Sequence, residues 1–493
     1  MTKIRTITFL CLILFCTTDL LAQTPVKGGQ KSTSAKQVNA GLKPPQSQAP
    51  KPIKVVPDWA KSANIYEVNV RQYTPEGTFK AFAKHLPRLK EMGVDIIWLM
   101  PIYPISETKR KGSLGSYYAV SDYKGINPEY GNEMDFKKLV DEIHRLDMKI
   151  ILDWVANHTG WDNPMMQEHP EWYTKNKKGE FQAPVADWSD VADLNFKDEG
   201  LQQYMIDALK YWVTEFDIDG YRCDVADMVP VTFWNKARKN LDAVKPVFML
   251  AEAENPEHHK EAFDMSYAWE FHHLMNSIAK GERNAKDLDD YFKKNEERFP
   301  DNAYFMNFTS NHDENSWNGT TKERMGDAHK ALAVLASTVP GMPLIYSGQE
   351  TGLDKRLRFF DKDTIEWQQN HEMMEFYTKL LALKKENPAL WNGAEGGQMV
   401  KLKIAENDKV SAFVRTKYLA DRTNYVMVLI NLSNEPQEII IQNLKQYGFD
   451  FKDAFTMEEF DFSGGKKEKK KKKNIPLPQS VKLDAWGYKV LVK

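Results

Sequence analysis

The sequence contains few cysteines, which excludes a fold held together by disulfide bonds. Three cysteines occur in 493 residues, Cys11, Cys16 and Cys223, and two of them lie within the first sixteen residues. Domains that depend on a disulfide framework carry many more cysteines for their length. The fold must therefore be stabilised by a hydrophobic core, and a chain of this length buries enough apolar surface to form one.

The sequence also lacks an excess of charge of either sign. It carries 67 Lys and Arg residues against 69 Asp and Glu residues, a formal net charge of −2. Proteins that bind nucleic acids usually show a strong basic excess, so this balance argues against a nucleic-acid partner. With 42% hydrophobic residues, the composition is that of a folded globular protein. The length predicts two or three domains and indicates no oligomeric state.

The N-terminal apolar run, Ile7–Phe15, is too short to span a membrane, which takes roughly 20 apolar residues. It follows Lys3 and Arg5 and precedes a short segment that ends at Ala22. A basic start, an apolar centre and a small residue at the end are typical of a secretory signal peptide. The sequence therefore predicts that residues 1–22 are removed and that the protein is exported, to the periplasm or out of the cell. No membrane span is expected after cleavage.

Two segments have a composition that does not favour a packed structure. Residues 23–56 consist mainly of Lys, Gln, Ser, Pro and Gly, so they bury too little apolar surface to fold and are predicted to be a disordered linker. The lysine-rich segment Lys466–Lys473 allows two interpretations, a binding site for an anionic partner or a solvated loop of like charges. Runs of like charge usually repel and stay solvated, which favours the second.

Between residues 57 and 390, short apolar strands alternate with amphipathic helices. Eight strands, each followed by a helical pattern, predict an α/β fold, a (β/α)8 TIM barrel, with its functional site at the carboxyl ends of the strands. The predicted strands are Asn64–Val70, Val94–Met100, Lys149–Val155, Ile218–Val225, Val247–Ala251, Met265–Trp269, Ala303–Phe308 and Pro343–Ser347.

Two regions depart from this alternation. After the third strand the chain runs from residue 156 to residue 197 before the next helix, and a connection of that length is usually functional. It predicts a small inserted domain over about residues 159–197. Beyond residue 390, strands alternate without helices, which predicts a separate all-β sandwich domain over residues 391–493.

Acidic residues end four of the predicted barrel strands. They are Asp153, Asp224, Glu252 and, just after the seventh strand, Asp313. Carboxylates at these positions share one cleft, and like charges there need a cation to stay ionised. Arg222 lies two residues before Asp224, on the same side of the strand, and favours the ionised form of that carboxylate.

The surroundings of these acids predict opposite protonation states. Glu252 ends an apolar strand, where burial favours the protonated form. An ionised carboxylate such as Asp224 can act as a nucleophile and a protonated one as a general acid, and together they can cleave a glycosidic bond. Asp313, beside His312, fits an electrostatic role.

In this order, the residues resemble the motifs of glycoside hydrolase family 13, the α-amylase family. The matching segments are Asp153–His158, Gly220–Asp224, Leu250–Glu252 and Asn311–Asp313, with further similarity at Tyr118–Tyr123, Val191–Asn195 and Pro340–Glu350. The family has a barrel, a B domain after the third strand and an all-β C domain, so the resemblance covers the chain from about residue 57 onward.

The resemblance implies a retaining double displacement on α-glucans such as starch, maltodextrins or related oligosaccharides. Asp224 matches the nucleophile of the family, Glu252 its acid/base and Asp313 its transition-state stabiliser. The residues that match positions around the bound sugar are Tyr118, which stacks on it, Asp153, His158, Arg222 and His312. No organic cofactor is implied.

The sequence leaves open whether the protein binds a structural calcium ion. Asn157 and Asp193 match positions that bind a structural Ca²⁺ in many family members, and oxygen ligands suit this cation. The alternative is that both side chains only form hydrogen bonds between the inserted loop and the barrel. Full activity in the presence of a chelator would exclude the calcium site.

One segment departs from the family pattern. After the nucleophile, α-amylases often continue with a Lys-His pair on the acceptor side, whereas this chain has Val225–Met228. This leaves open an enzyme that prefers oligosaccharides, cleaves α-1,6 bonds or transfers glycosyl groups. A non-catalytic glycan-binding protein is a further alternative, although the catalytic residues are all present.

Glu314 and Trp317, which follow Asp313, each allow two interpretations. Glu314 either lines the acceptor side or is a surface carboxylate, and the second is favoured. Trp317 either binds sugar or packs against the next helix.

Overall fold

The computed structural model describes residues 56–369, 371–405, 407–442, 444–448, 450–462 and 479–493. All of them belong to one unit of the chain, Ile53–Lys493. The predicted signal peptide, residues 23–55 of the predicted linker and the lysine-rich segment Lys466–Lys473 lie outside the described residues.

A closed parallel barrel forms the centre of the described chain. Each strand is hydrogen-bonded to the next, and the eighth closes on the first, which confirms the predicted (β/α)8 fold. The strands are β1 (Ile65–Val68), β2 (Ile96–Leu99), β3 (Lys149–Trp154), β4 (Gly220–Cys223), β5 (Phe248–Ala251), β6 (Met265–Tyr267), β7 (Tyr304–Phe308) and β8 (Met342–Tyr346).

The strands are apolar on both faces because helices cover the outside and side chains fill the inside. Ile65, Ile151 and Leu250 pack in a cluster inside the barrel, separate from the larger cluster between strands and helices. Side chains alternate along a strand, so the residues two places later also face inward. This alternation carries polar side chains, among them Asp153 and Glu252, to the barrel mouth.

Amphipathic helices surround the barrel and begin at polar caps. The Asn132 side chain accepts a hydrogen bond from Asp135 N, and Asp198 accepts from the amides of Gly200 and Leu201. Such caps satisfy amide groups that the first helical turn leaves without partners. The longer helices are Leu86–Met92, Glu133–Arg145, Glu199–Phe216, Val231–Asp242, Trp269–Ala279, Ala285–Arg298, His329–Thr338 and Glu372–Glu386.

The connection after β3 contains a small antiparallel hairpin. Strand His158–Gly160 pairs with Val191–Asp193, so that His158 stands opposite Asp193. A buried tryptophan, Trp172, supplies apolar filling. The hairpin therefore places both predicted calcium-binding positions beside the barrel mouth.

The C-terminal region forms two antiparallel sheets, which confirms the all-β prediction. Residues from both sheets, such as Met427 and Ile439, share one apolar cluster between them. One sheet contains Gln398–Lys401, Val410–Tyr418, Thr423–Asn431, Tyr488–Val492, Asp450–Asp453 and Glu459–Asp461, and the other Lys403–Ile404, Gln437–Gln442 and Gln479–Leu483. The exact limits of the domains stay predictions. Among the described helices, none is both long and apolar enough to cross a membrane.

Candidate active site

Arg222 on β4 lies fully buried at the centre of the barrel mouth and contacts three carboxylates. Its Nη1 donates to Asp153 Oδ1 at 2.9 Å and to Asp224 Oδ1 at 2.8 Å. Its Nη2 lies 2.9 Å from Glu252 Oε2, an ion pair outside hydrogen-bond geometry. Its Nε donates to the Tyr267 hydroxyl at 3.1 Å. One guanidinium thus holds the predicted nucleophile and the predicted acid in the same cleft.

Burial raises the pKa values of both carboxyls, and Arg222 opposes this effect in each. The pKa of Asp224 is raised to about 6 and the pKa of Glu252 to about 7. Glu252 also accepts a hydrogen bond from Val225 N at 2.8 Å. A carboxyl that stays protonated near neutral pH can act as a general acid, and an ionised one beside a guanidinium can act as a nucleophile.

Asp313 follows β7 and is the most exposed of the three predicted catalytic carboxylates, with 36% of its side-chain surface accessible. Its Oδ2 lies 3.3 Å from His312 Nε2, which is also 2.8 Å from Tyr118 Oη. The other ring nitrogen of His312 pairs with Glu67. Burial lowers the pKa of His312, but the carboxylates of Asp313 and Glu67 raise it to about 9. His312 is therefore cationic at neutral pH.

Glu67 is a site residue that the sequence analysis missed. It lies on β1, is fully buried, and has one carboxylate oxygen without a hydrogen-bond partner among the described residues. Burial raises the pKa of Glu67, and His312 opposes this. Its position in the sequence was the available signal. Glu67 lies two residues after Ile65, which faces inward, so its side chain points toward the barrel mouth.

Asp153 is held from several sides, as a supporting residue would be. Its Oδ2 accepts hydrogen bonds from the Tyr118 hydroxyl at 3.0 Å and from Trp98 Nε1 at 3.3 Å. Together with the Arg222 bond, these contacts orient its carboxylate. Tyr118 is therefore fixed to the same cluster as the predicted catalytic residues.

His158 stands apart from the contacts around Arg222. Its Nδ1 lies 3.3 Å from Asn157 Nδ2, and its ring centroid lies 5.6 Å from that of Trp188. Burial lowers the pKa of His158 to about 3, so the ring is neutral. The structure thus joins the other predicted catalytic and sugar-binding residues by direct contacts and places His158 in the hairpin.

The residues at the two predicted calcium positions form hydrogen bonds inside the protein. Asp193 Oδ2 accepts from the Thr174 hydroxyl at 2.6 Å, and the backbone carbonyl of Asn157 accepts from Leu194 N at 3.0 Å. In the part of the chain that the structure describes, no three His, Cys, Asp or Glu side chains are placed to hold a metal ion. A Ca²⁺ site takes six to eight oxygen ligands, so Asn157 and Asp193 alone would not complete one.

The segment after Asp224 that departs from the family pattern is a strained turn. Val225 adopts φ 37° and ψ 49°, a left-handed conformation that a β-branched residue rarely takes. Asp227 then accepts a hydrogen bond from Asn255 Nδ2 at 3.0 Å and lies 3.2 Å from His258 Nε2. An acid held by two neighbours therefore occupies the region where α-amylases often have a Lys-His pair.

Glu314 is buried, so the favoured expectation of a surface carboxylate was wrong. Its Oε2 lies 3.1 Å from His272 Nε2 and 3.6 Å from Arg324 Nη1, and its Oε1 accepts from Asn318 Nδ2 at 2.9 Å. Burial alone would raise the pKa of Glu314, but His272 and Arg324 lower it to about 2. These partners come from distant or later segments, which sequence spacing does not reveal.

The fold and these contacts define a class, a (β/α)8-barrel protein with an acidic centre at the carboxyl ends of its strands. The sequence profile described as "Alpha amylase, catalytic domain" matches residues 46–188 and 165–392, well over half of the chain. The chain therefore belongs to the α-amylase family, glycoside hydrolase family 13.

Among curated relatives, the chain is similar to the maltogenic α-amylase of Bacillus acidopullulyticus, with 29% identity over 73% of this chain and 64% of the relative. It is also similar to the intracellular maltogenic amylase of Bacillus subtilis, with 30% identity over 69% of this chain and 60% of the relative. The chain spans 57–65% of the length of the first three curated relatives that it matches.

Solved structures show the same architecture. An α-amylase from Lactobacillus plantarum has 31% identity and a TM-score of 0.75, over 88% of this chain and 99% of that one. A noncanonic maltogenic α-amylase, AmyB, from Thermotoga neapolitana has 28% identity and a TM-score of 0.74, over 88% of this chain and 97% of that one.

Proposed function

We propose that this protein is a retaining α-glycoside hydrolase that acts on α-glucans, meaning starch, maltodextrins or related oligosaccharides. The observation that carries the proposal is the contact of Arg222 with both Asp224 and Glu252 at the barrel mouth. The names of the relatives, maltogenic amylases and α-amylases, support the substrate class.

In the first step, the Asp224 carboxylate attacks the anomeric carbon of the bound sugar. Glu252 donates its proton to the glycosidic oxygen, the bond to that oxygen breaks, and the leaving chain departs as an alcohol. The sugar is then covalently bound to Asp224. Asp313, the more exposed carboxylate, stabilises the positive charge that develops on the sugar ring.

In the second step, the ionised Glu252 takes a proton from a water molecule, which attacks the anomeric carbon. The bond to Asp224 breaks, the nucleophile is regenerated as a carboxylate, and Glu252 is again protonated. Two inversions at the same carbon retain its configuration. Arg222 keeps Asp224 in the ionised form that both steps need.

Product analysis tests this proposal. Residues 23–493 are incubated with maltooligosaccharides, starch and pullulan, with the Asp224→Asn variant as control. We expect products shorter than the substrate from the wild type and none from the control, and their lengths identify the linkage and mode of attack. No product from any substrate would contradict the proposal and favour a non-catalytic glycan-binding protein.

A glycosyl transferase reaction on the same intermediate is the second candidate. In that reaction a sugar hydroxyl replaces water in the second step, so products become longer than the substrate. The observation that favours it is the altered acceptor side, where Asn255 and His258 hold Asp227. The same product analysis separates the two reactions by product length.

We also infer that activity does not require calcium, because the Asp193 carboxylate accepts a hydrogen bond from Thr174 and the hairpin is joined to the barrel by the bond from Leu194 N to the Asn157 backbone carbonyl. Activity on maltooligosaccharides should be the same before and after dialysis against a chelator. Activity lost in the chelator and restored by added Ca²⁺ would contradict this inference.

Export is the last part of the proposal, and it is supported by the N-terminal sequence alone. Two of the relatives are named as intracellular enzymes, so the point needs its own test. N-terminal sequencing of the protein from its host should give a chain that begins at Gln23 in an exported fraction. A cytoplasmic chain that begins at residue 1 or 2 would contradict export.

A further inference from the structure

Glu67 is a fully buried carboxyl group that the two-step mechanism described above does not use. It lies on β1, where Trp98 of β2 and Tyr346 of β8 are its strand partners. Its backbone carbonyl accepts hydrogen bonds from Ser347, from the amide at 3.1 Å and from the hydroxyl. Its side chain is completely shielded from solvent. Burial of a charge is costly unless a partner compensates it, so an ionised Glu67 requires a cation beside it.

His312 is that partner, and its ring is fixed in one orientation. His312 Nδ1 pairs with Glu67 Oε1, whereas Glu67 Oε2 has no hydrogen-bond partner among the described residues. The buried imidazole packs edge-on against Trp98, with ring centroids 5.9 Å apart and planes 83° apart. It is also stacked on Tyr118, with centroids 5.5 Å apart and planes 21° apart. Nδ1 therefore faces Glu67, and Nε2 faces Tyr118 and Asp313.

The hydrogen bonds around His312 require a proton on each ring nitrogen. The Tyr118 hydroxyl donates its only proton to Asp153 Oδ2 at 3.0 Å, so its oxygen accepts from His312 Nε2, which is 2.8 Å away. Asp313 Oδ2, 3.3 Å from the same nitrogen, is also an acceptor. On the other side of the ring, the Glu67 carboxylate accepts from Nδ1. A neutral imidazole has one N–H group and the imidazolium has two, so these acceptors favour the cation.

The charges around the pair agree with a cationic ring. Burial lowers the pKa of His312 and Arg222 also acts against the cation, but the carboxylates of Asp313 and Glu67 raise the pKa to about 9. Asp313 is partly exposed and Glu67 is not, so water screens the Glu67 charge less. The titratable and charged groups that face the pair are Asp313, Arg222 of β4, Asp153 of β3, Tyr118, Tyr267 of β6 and Tyr346 of β8.

We propose that Glu67 is a positioning residue for glycoside cleavage, which keeps His312 protonated on both nitrogens and fixes its ring so that the Nε2–H group faces Asp313 and the catalytic sugar. This inference rests on the proposed function. Glu67 touches no substrate, because its side chain is completely covered by protein, and it acts through His312. Its contribution is a negative charge, so a glutamine of the same shape should not replace it.

The protonation state of His312 tests the proposal without any substrate. The protein is prepared with isotope-labelled histidine, and comparison with the spectra of His312→Gln identifies the His312 signals. In the wild type, we expect the ring to stay cationic up to about pH 8. In Glu67→Gln, the pKa of His312 should fall by about two pH units, because the opposite charge beside it is lost. A ring that is neutral at pH 7 in the wild type, or an unchanged pKa in Glu67→Gln, would overturn the proposal.

The pH dependence of activity separates this role from a merely structural one. Release of p-nitrophenol from p-nitrophenyl α-maltoside is measured at about pH 5.5, where His312 is cationic in both proteins, and at about pH 8. The loss of kcat/KM in Glu67→Gln should be about tenfold larger at the higher pH, because only there does the variant lose the cation. Losses that are equal at both pH values would overturn the proposal.

Glu350→Gln is the matched control. Glu350 is an equally buried carboxylate, held by Arg88 Nη1 at 3.2 Å and by the Tyr66 hydroxyl, away from His312. Its variant should leave the pKa of His312 unchanged, and any loss of kcat/KM should be the same at both pH values.

A double-mutant cycle tests whether Glu67 acts through His312. Added to His312→Gln, the change Glu67→Gln should lower kcat/KM by less than about twofold. The double variant contains no unpaired charge at this position, so it supplies the comparison even where Glu67→Gln alone folds poorly. A further loss as large as that in the wild-type background would overturn the proposal. A wild type that cleaves no α-glucan would overturn the proposed function and the catalytic role of Glu67 with it, whereas the histidine spectra test the Glu67–His312 coupling independently.

Discussion

At the scale of single residues, Arg222 is the group on which the carboxylates of the site depend. It is buried and contacts Asp153, Asp224 and Glu252. Removing one partner of a buried ion pair typically costs about 3–5 kcal/mol, so a variant of Arg222 would perturb folding and chemistry together. Amide variants of the carboxylates preserve shape and isolate the chemistry.

The role of Glu252 as proton donor can be tested with two substrates, one whose leaving group needs a proton and one whose leaving group does not. In Glu252→Gln, kcat on maltooligosaccharides should fall by about 10²–10⁴, because no proton reaches the departing oxygen. Formation of the glycosyl-enzyme from α-glucosyl fluoride should be much less affected, since fluoride departs without protonation. Burst kinetics of fluoride release measure this step, and an equal loss on both substrates would contradict the assignment.

The pH dependence of kcat/KM should be bell-shaped. Activity is expected to fall below a pKa of about 6, as Asp224 becomes protonated, and above a pKa of about 7, as Glu252 loses its proton. Because the two groups interact, the limbs belong to the pair. A rate that stays constant from about pH 4 to pH 9 would exclude acid/base catalysis by this pair.

At the scale of structural elements, the loop after β7 carries Asp313 on one side and Trp317 on the other, with the buried Glu314 between them. Glu314 is held by His272, from the helix Trp269–Ala279, and by Arg324. We therefore interpret Glu314 as a positioning residue for the whole loop.

Glu314→Gln should destabilise the protein and disturb the loop. The low pKa of Glu314, about 2, corresponds to about 3 kcal/mol of stability at neutral pH, relative to an unperturbed glutamate. This stability is present above the pKa that Glu314 has in the unfolded chain, and it is lost as the pH falls toward 2. The difference in the free energy of unfolding between wild type and variant should therefore shrink over that range. Urea unfolding at several pH values measures it.

The control is Glu375→Gln, which breaks an exposed ion pair with Lys379 on a helix surface. It should change the free energy of unfolding by less than about 0.5 kcal/mol. A Glu314 variant as stable as this control, with unchanged kcat, would show that the loop does not depend on Glu314.

The strands and several site residues could be predicted from local patterns, whereas the partners and roles of two buried acids could not. Strand alternation and the acids at strand ends indicated the barrel and the residues that Arg222 brings together. Glu67 reads as an ordinary strand residue, and its role depends on His312, 245 positions away. Glu314 reads as a surface acid, because its burial depends on His272 from another element. Both roles depend on contacts between segments that are far apart in the sequence, and local patterns do not reveal such contacts.

At the scale of the whole molecule, one apolar cluster contains residues of both the barrel and the C-terminal domain. Phe413 and Val428 of the C-terminal sheets belong to the same cluster as Leu380 and Leu390 near the end of the barrel. The buried Arg415 adds a hydrogen bond from Nη1 to the Thr338 carbonyl at 2.8 Å. The two regions should therefore unfold together.

Phe413→Ala tests this coupling. Removal of a buried phenylalanine should cost about 3–5 kcal/mol and lower the unfolding temperature of the barrel as well as of the C-terminal domain. Tyr418→Ala, at the exposed end of the same strand, should change stability by less than about 0.5 kcal/mol. Calorimetry that shows two separate transitions, with only one shifted in Phe413→Ala, would contradict a shared core.

The measurement that tests the account most directly is the identification of the residue that becomes attached to the sugar. The wild type is treated with 5-fluoro-α-glucosyl fluoride, which slows the second step, and the labelled peptide is sequenced by mass spectrometry. The account predicts one glycosyl group on Asp224. A label on another carboxylate, or no label together with products of inverted configuration, would contradict it.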